Sequence, residues 1–174
     1  MNKIYTGNYK NFSNTDYNLI SISGDRGAKE NYQGLYIREL APKRVFWDVW
    51  FNNIGKISKE DNIRFYIREY YKTVLSKIDW KEFINLFNNY DYPTILLCYE
   101  NSNEFCHRHP LAEYIKLYTN IDIEIPEGII VNGNIKSIEH PKYIEDILKE
   151  EMLLNKVKPE PIIKPKIMSI YRKR

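Results

Sequence analysis

Apolar residues recur along the chain at two different spacings, and the spacing separates strands from helices. Short apolar, β-branched runs bounded by Gly, Asn or Asp predict strands at 4–6 ("IYT") and 18–23 ("NLISIS"). A stronger strand is "PTILLCYE" at 93–100. At period 2 it sets Leu96, Cys98 and Glu100 on one face and Leu97 and Tyr99 on the other, and both faces stay apolar until the end. Such a strand belongs inside a parallel sheet covered on both sides. "IDIEI" at 121–125 is a weaker strand candidate, and Asn132-Gly133 inside "IIVNGNIKSI" signals a hairpin with a type I′ turn.

The helical spacing fills the intervals. Ser58 as N-cap, acids in the first turn and the stripe Ile63, Tyr66, Ile67, Tyr70, Val74 predict one long helix, whose tyrosines read as core. Asp79 with Glu82 forms a capping box ahead of "WKEFINLF". Leu111, Tyr114, Ile115 and Tyr118 make "PLAEYIKLY" amphipathic, and "HPKYIEDILKEEMLL" places Pro141 at a first helical position with His140 as its cap. The segment "ELAPKRVFWDVWFNN" at 39–53 fits neither spacing and reads as a lid or packed loop anchored by Trp47 and Trp50. Three prolines within 158–166 stop the last helix and predict an extended arm. Strands alternating with helices give one layered, Rossmann-like α/β domain: a mostly parallel central sheet flanked by helices, then a C-terminal hairpin, a helix and the basic arm. The body spans 1–156 and the Pro-rich arm 157–174. The chain has no internal repeat and no Walker-type or GxGxxG glycine pattern.

Composition narrows the setting. A chain of 174 residues, 43% hydrophobic and 28% charged, fits one globular domain. It holds no apolar run near the ~18 to 20 residues of a membrane span and no signal-peptide core at its start, so the expectation is a cytoplasmic protein without a membrane partner. The net charge of +3 is unevenly spread: residues 157–174 carry a local +5, and the other 156 residues carry −2. Nucleic acid is therefore expected to bind through the arm only, since the near-neutral body offers no broad cationic face. Oligomeric state leaves no mark on the sequence.

Both cysteines and two of the three histidines fall in one stretch, "TILLCYENSNEFCHRHPLAEY". Pro110 requires the helix to begin near 107–109, which puts Cys106, His107 and Arg108 at its N-terminus, where free N–H groups and the macrodipole favour an anion. A thiol there can be acidic, and Arg108 can offer a fork to phosphate or carboxylate. Ligands of parallel α/β sheets bind beyond the carboxyl ends of the strands, where Glu100 lies and where Thr6, Asp25 and Arg26 arrive if the three strands run parallel. Lys43 is a second candidate cation. The bland readings stand beside these: Cys98 a small buried hydrophobe, Arg108 tying Glu100 to the helix, Asp25-Arg26 a polar turn, His109 and His140 exposed or capping. Cys98, Cys106, His107 and His109 are zinc-type ligands, but they lack a Cys-x2-Cys pair and Cys98 sits in an apolar strand, so no metal and no other cofactor is called for. A redox-linked Cys98–Cys106 disulfide is a comparable minor alternative.

The Leu-Cys-x-Glu strand end followed by Cys-His-Arg resembles the signature of the family called domain of unknown function 488 (DUF488). "IYTGNYKNF", "LISIS" and "LAPK" at 40–43 are similar to the branch with a Tyr-Thr start and an Ala-Pro-Lys element. The likeness covers roughly 3–125, and Asp25-Arg26 departs from the Asp-x-Arg of other branches. It implies a compact α/β domain with a polar site at the strand ends, and brings no settled activity. The expected function is an enzyme-like domain acting on an anionic ligand, a nucleotide or nucleic-acid end. Arg108 and the helix N-terminus hold the anion, Glu100 orients Arg108 or acts as general base, and Cys106 with His107 supplies nucleophile or proton transfer. The alternative is a non-catalytic module that binds a nucleotide or partner with the same pocket and the arm.

Overall fold

In the computed structural model, which describes residues 3–156 and 158–170, one seven-stranded sheet organises the chain in the order β6-β5-β1-β4-β2-β3-β7. The strands are β1 (Ile4–Asn8), β2 (Asn18–Ser21), β3 (Leu35–Tyr36), β4 (Thr94–Cys98), β5 (Glu127–Val131), β6 (Asn134–Ile138) and β7 (Met168–Ser169). β4 is central, parallel to β1 on one side and to β2 on the other. That is the place expected for a strand apolar on both faces. β5 adds in parallel beyond β1 and β3 beyond β2, while β6 and β7 close the two edges antiparallel. The β5–β6 turn has Asn132 at φ 49° and Gly133 at φ 77°, two left-handed residues as a type I′ hairpin requires.

The helices are α1 (Tyr9–Phe12), α2 (Arg44–Asn53), α3 (Lys59–Thr73), α4 (Trp80–Asn85), α5 (Arg108–Tyr118) and α6 (Lys142–Asn155). The long ones share the main core with one sheet face: Ile4, Ile20 and Leu96 pack with Ile63, Tyr70, Leu111 and Ile144. The opposite face carries a smaller core of Tyr5, Tyr9, Phe12, Ile95 and Leu97. Tyr66, Tyr70 and Tyr71 are buried as expected of a core stripe. Ser58 caps α3 by accepting from the Asp61 N–H at 3.0 Å, and Asp79 caps α4 by accepting from the Glu82 N–H at 3.1 Å. Replacing Ser58 with Ala is expected to cost ~1 kcal/mol and lower Tm by roughly 2–4 °C in a thermal melt.

Three expectations need correction. Residues 44–53 form a helix, α2, instead of a lid or loop. Its apolar residues point both inward and outward, with Phe46 buried and Val45 and Phe51 exposed, so no single stripe reveals the period. Residues 121–125 form no strand; the sheet position falls to Glu127–Val131 instead. His140 does not cap α6, because its ring turns away to other partners and Pro141 stands at the N-cap.

The arm is extended and lies along the body. The Glu160 and Ile163 N–H groups donate to the carbonyls of Ser76 and Lys77, and the Asp79 N–H donates to the carbonyl of Ile163. Lys158, Lys164 and Lys166 remain exposed, and Arg172, Lys173 and Arg174 lie outside the described residues. No helix among the described residues is long and apolar enough to cross a membrane.

Candidate functional site

Strand β4 delivers Cys98 to its carboxyl end, and the chain turns through 99–107 before α5 begins at Arg108 with His107 at the N-cap. His107 accepts no capping bond; its ring reaches across to the residue just past β2. There Nε2–H donates to the Ile22 carbonyl at 2.9 Å, and the ring packs edge-on against Tyr70. That bond leaves Nδ1 with its lone pair, 3.7 Å from Cys98 Sγ and 3.9 Å from Cys106 Sγ. Cys98 Sγ in turn lies 3.5 Å from Glu100 Oε2. Cys98, Cys106 and His107 are buried, and Glu100 is half-buried. Four of the sequence candidates therefore meet in one cluster.

The electrostatics divide the two thiols. Burial pushes Cys98 up, reinforced by its hydrogen bond to Cys106 and that neighbour's charge. Burial acts upward on Cys106 as well, but the Cys98 hydrogen bond and the charges of Arg108 and His107 hold it well below the ordinary thiol range. His107 moves the other way: burial disfavours its cation, yet the facing Cys106 raises it. Burial, with the Cys106 charge added, pushes Glu100 up to about 7. The facing Cys106 and His107 are thus shifted in opposite directions, the thiol down and the imidazole up.

Arg108 is fully buried, and its principal partner is Glu127 at the start of β5. Nε and Nη2 grip the Glu127 carboxylate at 3.1 and 2.8 Å, and Nη2 also donates to the Glu100 carbonyl at 2.8 Å. Glu100 itself is only a distant partner, 4.0 Å from Nη1, so the expected Arg108–Glu100 tie is secondary. Nη1 is buried without a hydrogen-bond partner. Against the cost of burial, Arg108 holds Glu127 below the usual carboxylate range. Thr6 also serves this pair: Thr6 and Glu127 are register neighbours on parallel strands, and the Thr6 hydroxyl donates to Glu127 Oε2. Sequence reasoning missed Glu127, whose only signal is an acid at the head of an apolar run.

The remaining candidates lie apart from the thiols. Asp25 is exposed, accepting from the Tyr99 hydroxyl at 2.6 Å, from Ser23 Oγ at 3.1 Å and from the Gly27 N–H at 3.0 Å. This is a polar turn that continues inward, since the Tyr9 hydroxyl lies 2.6 and 2.8 Å from the Ser21 and Ser23 hydroxyls. Arg26 is exposed over the Tyr36 ring, and exposed Lys43 at the N-cap of α2 bonds to none of the cluster. His109 is fully buried and not at the surface: its Nε2–H donates to the Glu104 carbonyl, His140 Nε2–H donates to the Ile125 carbonyl, and the two Nδ1 atoms meet at 2.6 Å. Burial and the Arg108 charge push His109 down to about 4, burial lowers His140, and the neighbouring Glu127 carboxylate acts upward on both.

Two surface clefts, of about 540 and 410 Å³, are lined by other residues, while Cys98, Cys106, His107 and Arg108 are buried. Protein-family models, curated proteins and solved structures give no match to this chain.

Proposed function

We propose that the β4–α5 junction is an enzyme-like site for an anionic ligand of the phosphate or nucleotide kind, held by Arg108 and opened by Glu100. The observation that carries this reading is Arg108 Nη1. A buried guanidinium N–H without an acceptor is costly, and here it stops 4.0 Å short of a carboxylate on a half-buried side chain. A ligand oxyanion in place of that carboxylate satisfies Nη1 and sets the ligand beside Cys106, His107 and Glu100, the groups able to take part in bond making or proton transfer. The Nε–Nη2 edge stays committed to Glu127, so Arg108 presents one donor to the ligand instead of a fork. The motif likeness to DUF488 points to the same residues.

The test is calorimetry with inorganic phosphate and nucleoside mono- and triphosphates. Wild type is expected to bind at least one of them. Glu100→Gln is expected to bind it roughly tenfold tighter, the order of effect for removing a like charge at this range in a half-exposed setting. A folded wild type that binds none of the panel, with Glu100→Gln equally inert, overturns the reading. Product release during incubation with the bound member separates an enzyme from a module that only binds.

A further inference from the structure

We infer that Cys98 Sγ, Cys106 Sγ and His107 Nδ1 form a binding site for one thiophilic divalent cation of the zinc type, with the fourth position left for a non-protein ligand. The three atoms all lie within 4.8 Å of one another. A tetrahedral zinc ion, with Zn–S of ~2.3 Å and Zn–N of ~2.0–2.1 Å, requires S···N edges of about 3.6 Å. The observed edges are 3.7 and 3.9 Å, within a few tenths of an ångström of that figure. The second shell is also in place. His107 Nε2–H is bonded to the Ile22 carbonyl, which turns the Nδ1 lone pair toward both sulfurs, as ligating histidines require. An ion here ties the end of β4 to the start of α5.

The three ligand residues are buried, and an ion needs only the space between their donor atoms. Binding releases two protons, one from Cys98 and one from the Cys106–His107 pair, and the two thiolates neutralise the dication. The neighbouring Arg108–Glu127 pair is already neutral as a unit. Glu100 stands just outside the ligand set, next to Cys98 Sγ and Arg108 Nη1. Three protein ligands with an open position are the arrangement of catalytic rather than structural zinc. The inference deepens the anion-site reading, on which it rests for the occupant of the fourth position: an oxygen of that ligand would complete the ion's coordination. Cys106 and His107 then act as ligands, and Glu100 remains as the proton carrier.

The second group of metal-type residues, His109, Glu127 and His140, does not qualify. Its Nδ1 atoms are 2.6 Å apart, whereas two nitrogens on one tetrahedral ion stand about 3.3 Å apart, and both Glu127 oxygens are engaged by Arg108.

The test is cobalt substitution of the full chain, stripped by chelator and kept reduced with a phosphine. Wild type is expected to take up one Co²⁺ per chain, with thiolate-to-cobalt charge-transfer absorption and tetrahedral d–d bands, and Zn²⁺ is expected to displace it. Cys98→Ser and Cys106→Ser are each expected to weaken binding at least ~100-fold, while His140→Gln keeps it within about threefold. Reduced wild type that shows no thiolate–cobalt band, or cysteine variants that bind as wild type does, overturns the site. Phosphate titrated into both the stripped and the loaded protein separates the two readings. Cobalt without phosphate binding removes only the anion reading, and phosphate binding by a protein that takes no cobalt removes only the metal site.

Discussion

Replacing Arg108 with Met is expected to destabilise the fold by about 3–5 kcal/mol, the usual consequence of leaving one member of a buried ion pair without its partner. Both side chains are essentially inaccessible, and Thr6 is the one other side chain that donates to Glu127 among the described residues. The loss is a large share of the ~5–15 kcal/mol that stabilises an ordinary domain, and it lowers Tm by roughly 10 °C or more. Urea denaturation of the single variants and of Arg108→Met with Glu127→Gln checks the cause. Neutralising both partners removes the isolated charge, so the double variant is expected to recover about 2 kcal/mol relative to Arg108→Met alone. A single variant within 1 kcal/mol of wild type contradicts the burial on which the site is built. Because Nη2 also holds the Glu100 carbonyl, the same substitution loosens the exit of β4 and moves Cys98 and Glu100 with it.

The second large effect is expected at Gly27, where Ala is predicted to cost roughly 2–5 kcal/mol. Gly27 sits at φ 81°, a left-handed conformation worth ~1–2 kcal/mol against any residue with a Cβ. The added carbon would also stand 2.7 Å from Tyr32 Cβ and 2.8 Å from Tyr9 Cε1, an overpacking of ~1–3 kcal/mol. Tyr32 Cβ lies next to the backbone and cannot swing away. Since the Gly27 N–H donates to both Ser23 Oγ and Asp25 Oδ1, a displaced loop releases the Tyr9–Ser23–Asp25–Tyr99 network beside β4. Gly24→Ala is the matched control: a Cβ there meets nothing within 4 Å, and its stability is expected to stay within ~0.5 kcal/mol of wild type. Thermal melts of the two variants, read by near-ultraviolet tyrosine dichroism, separate them. Equal behaviour of the two would sink this account of the loop.

The elements that could be anticipated were those whose cause is local. Two apolar faces marked β4 as central, Ser58 and Asp79 announced their helices, and Asn132-Gly133 announced its turn, because each depends on residues a few positions apart. The elements that escaped depend on distant neighbours. α2 is stabilised by packing Trp50 against Tyr66 and Phe105, which its own residues do not reveal. β3 and β7 are two residues long and exist only through each other and through β2.

The same division runs through the site. The reactive types and their concentration at one strand-to-helix junction are properties of the order of residues, since Cys98, Glu100, Cys106, His107 and Arg108 span only eleven positions. Their geometry is not. His107 takes its orientation from a carbonyl just past β2, Arg108 finds its carboxylate on β5, and His109 meets His140 across thirty-one residues. Hydrogen bonds and ion pairs act over about 3 Å whatever the distance along the chain. The order in which β5, β1, β4 and β2 lie side by side therefore decides which of these groups hold one another and that Arg108 Nη1 is left without an acceptor.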